Sequence, residues 1–197
     1  MRKVVLLEWV SLDGVAQAPG AENEDTDGGF RHGGWHLQYF DAESQQSVVE
    51  NLRGAGAFLL GRRTYDNFAA YWPHASAEEQ VVAEPLNTKP KYVASTTLRE
   101  PLEWQNSQVL SGDVADAVRA LKREDGGDVH VIGSTQLVAT LFVNDLVDEL
   151  RLMIDPIVLG GGKGIFSDDG VLRKLRLVDA KVTRTGAILA TYARVES

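Results

Sequence analysis

The chain has 197 residues, 44% apolar and 24% charged, an ordinary composition for a globular protein with room for a sizeable core. It contains no cysteine, which excludes disulfides, thiol catalysis and zinc–thiolate sites. A net charge of −8 sets it against nucleic-acid backbones, and no run approaches the ~20 apolar residues that span a bilayer, so a cytoplasmic protein without nucleic-acid or membrane partners is expected.

Lys3 to Val10 is short and rich in Val and Leu; Glu8 interrupts it, so it reads as a first strand and not as a leader segment. Ser11 to Trp35 is a long polar connection, of the kind that is usually functional. Asp41 to Arg53 has helical composition and stops before Gly54 and Gly56. Ala57 to Leu60 is a second strand, followed by a short helix over Thr64 to Trp72 with Tyr65, Phe68 and Trp72 at helical spacing. Ser76-Ala77-Glu78-Glu79 has the capping-box form and opens another helix. Pro90 to Ala94 and Gln108 to Leu110 read as strands. Asp113 caps a helix to about Glu124, with Val114, Val118 and Leu121 on one face. Val129 to Ile132 is a strand, Ser134 caps a helix through Val143, and Glu149 to Leu159 is a long strand. Leu172 to Thr183 and Ala187 to Val195 flank Thr185-Gly186, a hairpin turn signal. Strands alternate with helices and then meander, which predicts a mainly parallel mixed sheet with helices on both faces, in one domain over residues 1–197.

Two segments repeat one arrangement. At Gly61-Arg62-Arg63-Thr64 and at Gly133-Ser134-Thr135-Gln136 a strand ends in glycine and a helix starts. In open α/β sheets ligands bind beyond the carboxyl ends of strands, and a helix N-terminus offers unpaired N–H groups that suit phosphate. Glycine admits close approach, the hydroxyls of Thr64, Ser134 and Thr135 add donors, and Arg62 and Arg63 add fixed charge. Side by side, two such ends would hold the halves of a dinucleotide. Taken singly, each is also a routine strand end with a capping residue.

Together with "SLDGVAQ", "YVAST" and "LMIDPIVLGGGKGIF", the segments "LLGRRTYDNF" and "HVIGSTQLVATLF" resemble the dihydrofolate-reductase-like superfamily. They are most similar to the reductase domain of riboflavin-biosynthesis deaminase-reductases and its stand-alone bacterial relatives. The resemblance covers nearly the whole chain. It implies an α/β dihydrofolate-reductase-like fold, a mixed and mainly parallel sheet flanked by helices with a C-terminal antiparallel hairpin, and NADPH lying across its carboxyl edge. It implies that Gly61, Arg62, Arg63 and Thr64 contact phosphate, with the second Arg or a neighbour on the 2′-phosphate. Ser95 and Thr96 follow as further adenosine-phosphate contacts. Ile132, Gly133, Ser134, Thr135, Gln136 and Leu137 would form the pyrophosphate turn, and Gly160, Gly161 and Gly162 would pass near the nicotinamide. The same glycines also read as a bulged loop after a strand, and neither a Walker loop nor a Rossmann fingerprint fits them.

In "SLDGVAQ", Asp13 and Gln17 are expected to face substrate or to order the loop; Asp-Gly is also a plain turn pair. Trp35, Tyr65 and Trp72 join Gln17 as expected substrate-side residues. Two features depart from true dihydrofolate reductases: the first loop carries Gly-Gly-Trp, and the first helix begins "DAESQQSVVE". No deaminase segment is present. Glu22, Glu24, Asp25 and Asp27 read as a solvated run, and the four histidines lack ligand spacing, so no metal is expected. The resulting expectation is an NADPH-dependent reductase acting on a C=O or C=N of a small heterocyclic or aminoribosyl substrate. Asp13, through a held water, is the candidate for the proton, and the expected assembly is a homodimer. A non-turning nucleotide-binding dimer and a true dihydrofolate reductase are the alternatives.

Overall fold

A computed structural model describes residues 1–166 and 168–195. β1 (Val4–Ser11) opens the chain, and α1 (Ala42–Gly54) follows the long connection. Next come β2 (Ala57–Gly61), α2 (Arg62–Tyr71), α3 (Gln80–Thr88), β3 (Lys91–Ala94) and the short β4 (Ser107–Val109). They are followed by α4 (Val114–Arg123), β5 (Val129–Ile132), α5 (Thr135–Val143), β6 (Glu149–Asp155), β7 (Leu175–Val182) and β8 (Ile188–Arg194). All eight strands form one sheet in the order β4-β3-β2-β5-β1-β6-β8-β7. The pairings are parallel as far as β6, and β6–β8 and β8–β7 are antiparallel. This is the expected mixed sheet with its terminal hairpin.

The apolar runs are explained by burial on both faces. In β2, Leu59 points into a core shared with Val118, Val131, Val138 and Leu141, whereas Phe58 and Leu60 point into a second core with Leu52, Leu86 and Val93. α4 and α5 therefore cover one face, and α1, α2 and α3 the other. Caps fix the helix starts: Asp41 accepts from the N–H groups of Glu43 and Ser44, Asp113 accepts from Asp116, and the Ser76/Glu79 capping box is formed.

Two boundaries and one placement differ from expectation. β6 ends at Asp155 and not at Leu159, because Pro156 has no N–H to continue the ladder. Residues 156–165 instead turn back onto the first loop, where Leu12 N–H donates to Ile157 O and Ala16 N–H to Lys163 O. α2 starts at Arg62, so both arginines stand in its first turn and not ahead of it. β6 is also interior, between β1 and β8, so its apolar sequence serves the sheet and the core and leaves no strand edge open to a second copy. The edge strand β7 carries a run of exposed apolar residues: Leu175, Leu177, Val178 and Val182.

Candidate active site

β2 and β5 are parallel neighbours, so their carboxyl ends and the helices that follow lie side by side. The turns interlock. Gly61 N–H donates to Gly133 O at 3.0 Å. A β-carbon at Gly61 would overlap the Ser134 hydroxyl, and one at Gly133, where φ is +52°, would lie 2.9 Å from Thr64 Oγ1. Only glycine fits either place. The Gly133–Ser134 peptide is cis. Gly61 and Ser134 occupy the N-cap positions in extended conformation, and neither supplies a side-chain cap. The first-turn N–H groups of α2 and α5 are thus left without side-chain partners at a common cleft. Arg62, Arg63, Thr64, Ser95, Thr96, Ile132, Gln136 and Leu137 border that cleft, as do Gly61, Gly133, Ser134 and Thr135. Ser95 Oγ already accepts from the N–H groups of Thr97 and Leu98.

The two arginines are not equivalent. Arg62 is half exposed and pairs with Asp66 one turn on, at 3.1 Å. Arg63 reaches across to Asp27 and to Asp25, the latter at 3.4 Å. Lys163 joins the same two carboxylates, at 2.8 Å from Asp27. Lys163 and Arg63 hold the Asp27 carboxyl below the usual range. Glu24 accepts from the N–H groups of Gly20 and Ala21. The acidic run is therefore tied into its surroundings and is not simply solvated.

The first loop uses up most of the polar groups that the sequence marked as candidates. Asp13 accepts from Ser11 Oγ (2.6 Å), Gly160 N–H (2.8 Å) and Leu159 N–H (3.1 Å), and these bonds lower its pKa to about 2. It does not border the cleft, and it serves as a staple between two loops. Gln17 is buried; its amide donates to Asp25 O and Asp27 O and accepts from Lys163 N–H. Trp35 is buried with its indole N–H on Gln17 O. Tyr65 is buried against Trp104 and does not border the cleft. Trp72 is half-buried and does border the cleft. Gly160, Gly161 and Gly162 line a separate shallow depression with Phe30 and His32, not the main cleft. A β-carbon at Gly162 would lie 2.7 Å from Val15, so this glycine answers to packing.

Two features escaped sequence reasoning. His36 Nδ1 lies 2.7 Å from Asp155 Oδ2, both side chains are buried, and the imidazole stacks on Trp9 at 4.2 Å. Glu8, noted in the sequence only as a break in an apolar run, borders the cleft and accepts from Gly133 N–H at 3.0 Å. Burial, relieved in part by that bond and reinforced by Glu24, pushes its carboxyl up to about 8. A charged residue on the inward face of a central strand was the available signal. No group of three or more His, Asp or Glu residues suited to a metal occurs among the described residues, and no helix there is long and apolar enough to cross a membrane.

The uncharacterized protein YyaP of Bacillus subtilis (strain 168) is 28% identical over 194 residues, covering 97% of this chain and 94% of its own. A pyrimidine reductase-like protein from Corynebacterium diphtheriae superposes with a TM-score of 0.66 at 14% identity, covering 100% of this chain and 93% of the other. Dihydrofolate reductase from Enterococcus faecalis, complexed with NADP(H), superposes with a TM-score of 0.61 at 10% identity, covering 98% and 97%. The fold is thus dihydrofolate-reductase-like. The model of the RibD C-terminal domain matches residues 2–189, and the chain belongs to that family.

Proposed function

We propose that this protein is an NADPH-dependent reductase of the riboflavin-biosynthesis type, which delivers hydride to a C=O or C=N carbon of a small heterocyclic or aminoribosyl substrate. The observation that carries this reading is the pair of interlocked turns. Two uncapped helix N-termini meet at the carboxyl edge of the sheet, in a protein whose net charge is −8. The two glycines let the turns pack against each other, Gly61 on Ser134 and Gly133 on Thr64, and so bring both helix starts to one cleft, an arrangement that suits a pyrophosphate. The Ser134 hydroxyl and the first N–H groups of α5 would hold it, and Arg62 and Arg63 would hold the 2′-phosphate. When bound, the dinucleotide supplies the hydride. The chain's own part is to bind, orient and exclude water. Membership of the RibD C-terminal domain family supports the substrate class, as does the pyrimidine reductase-like neighbour. Asp13, with its carboxyl committed to loop backbone, is not proposed as the source of the proton.

The test is cofactor discrimination. Arg62→Ala combined with Arg63→Ala weakens NADPH by about 10- to 100-fold, the loss of a charge-assisted bond or two, and leaves NADH nearly unchanged. Equal losses for both cofactors, or no thermal shift of the wild type at millimolar NADPH, would overturn the reading. NADPH oxidation with an aminoribosyl-pyrimidine, set against dihydrofolate, then separates the substrate classes. We further propose a homodimer through β7, whose outer edge is open and apolar. A monomeric mass in solution scattering would remove it.

A further inference from the structure

β1 runs through the middle of the sheet, with Leu6 and Val10 in the larger core. Side chains alternate along a strand, so Glu8 lies on the same inward face. It stands where the core ends and the cleft begins. A carboxylate in such a place is costly unless a cation faces it, and the charged side chain that acts on Glu8 is another carboxylate, Glu24. Its Oε1 is fixed by Gly133 N–H. An oxygen whose lone pair already accepts an N–H is the poorer seat for a proton, so the acid proton belongs on Oε2. Gly133 is also the turn at which the phosphates of the dinucleotide would sit. An ionised Glu8 would repel them, and a neutral one can donate.

We propose, resting on the reductase reading, that Glu8 is a binding residue of the dinucleotide site and acts there as a neutral carboxylic acid. Oε1 holds the Gly133 turn, and the Oε2 proton is a hydrogen-bond donor to the bound dinucleotide. The upward shift of its pKa to about 8 agrees with this. The charged group that acts on it is Glu24 from the first loop, and the Gly133 turn ahead of α5 holds its Oε1; Arg62 and Arg63 of α2 border the same cleft but pair with Asp66 and with Asp25 and Asp27, and β5 and β6 bring the uncharged Ile132 and Leu152. Bound phosphate charge raises the pKa further. The linkage then has one sign: affinity is full below about pH 8 and falls as Glu8 ionises above it.

NADP⁺ binding by calorimetry, between about pH 7 and pH 9.5, tests this above the ~6 pKa of a phosphate monoester. The wild-type Kd weakens above the transition by up to about tenfold per pH unit, and binding takes up close to one proton there, read from the heat in two buffers. Glu8→Gln keeps a donor that cannot ionise, so its Kd stays flat and is the tighter of the two at the alkaline end. Lys91, also brought to about 8, is buried beside Trp104 outside the cleft and is common to both proteins. Parallel pH profiles in the two proteins, or a wild type that takes up no proton, overturn the proposal. The wild-type proton count decides it alone if Glu8→Gln does not fold. A wild type that binds NADP⁺ at no pH overturns the reductase reading and this proposal together, whereas tight binding with a flat profile removes only the role of Glu8.

Discussion

The paired turns at Gly61 and Gly133 and the first loop from Leu12 to Asp41 both looked like ligand sites in the sequence, and they differ in what their polar groups do. In the loop, the polar groups of Asp13, Gln17 and Trp35 are taken up within the protein, and His36 is tied to Asp155 through Nδ1 while its buried Nε2 has no partner. In the turns, the helix starts lack side-chain caps and Arg62 is open to solvent apart from one neighbour on its own helix. Residue type does not distinguish a staple from a binding group. The partners already in place do, because a hydrogen bond committed to folding is not free for a ligand without breaking something.

The sharpest way to break this contrast is to fill the turn. Gly61→Val drives a side chain into Ser134, and we expect at least a hundredfold loss of NADPH binding, about 3 kcal/mol or more, with lowered stability. Gly161→Ala meets nothing within 4 Å and leaves affinity within about twofold. Equal effects would mean that the glycine loop, not the paired turn, takes the ligand. Next in size is the buried pair under the loop. His36→Ala leaves Asp155 buried without its partner and costs about 3 kcal/mol in denaturant unfolding. A loss below about 1 kcal/mol would deny the pair its anchoring role.

Asp13→Asn removes the charge and turns one of the two oxygens that accept backbone N–H groups into a donor. It lowers Tm at neutral pH while hydride transfer persists. The folded pKa of Asp13 is depressed to about 2 from 3.8, so its contribution is present above the unfolded value and lost as pH falls toward the folded one. The Tm difference between wild type and variant therefore closes between about pH 4 and pH 2. A gap that persists at the acid end would point to shape and not charge. The smallest effect sharpens the contrast at its border. Asp27→Asn weakens the hold on Arg63, and the freed guanidinium tightens NADPH by about two- to threefold, a few tenths of a kcal/mol. Weakened binding instead would show that Asp27 holds Arg63 in the binding position.

By itself the sequence determined the elements and the two glycine turns. Their signals lie within a few residues of each other: the caps at Asp41, Ser76 and Asp113, the apolar alternation of β2, and a glycine followed by a helix start. Where a local signal competed with a stronger local rule the reading slipped, as at Pro156, which stops β6 despite the apolar residues beyond it. Tertiary structure alone decided which polar residues are occupied. Glu8 meets Gly133 across 125 positions, Asp13 meets Gly160 across 147, and Arg63 meets Asp27 across 36. No pattern in a strand or loop specifies such partners. They follow from the order β2-β5-β1-β6, which packs the ends of distant strands together and makes one carboxylate a loop staple and sets another at the floor of the cleft.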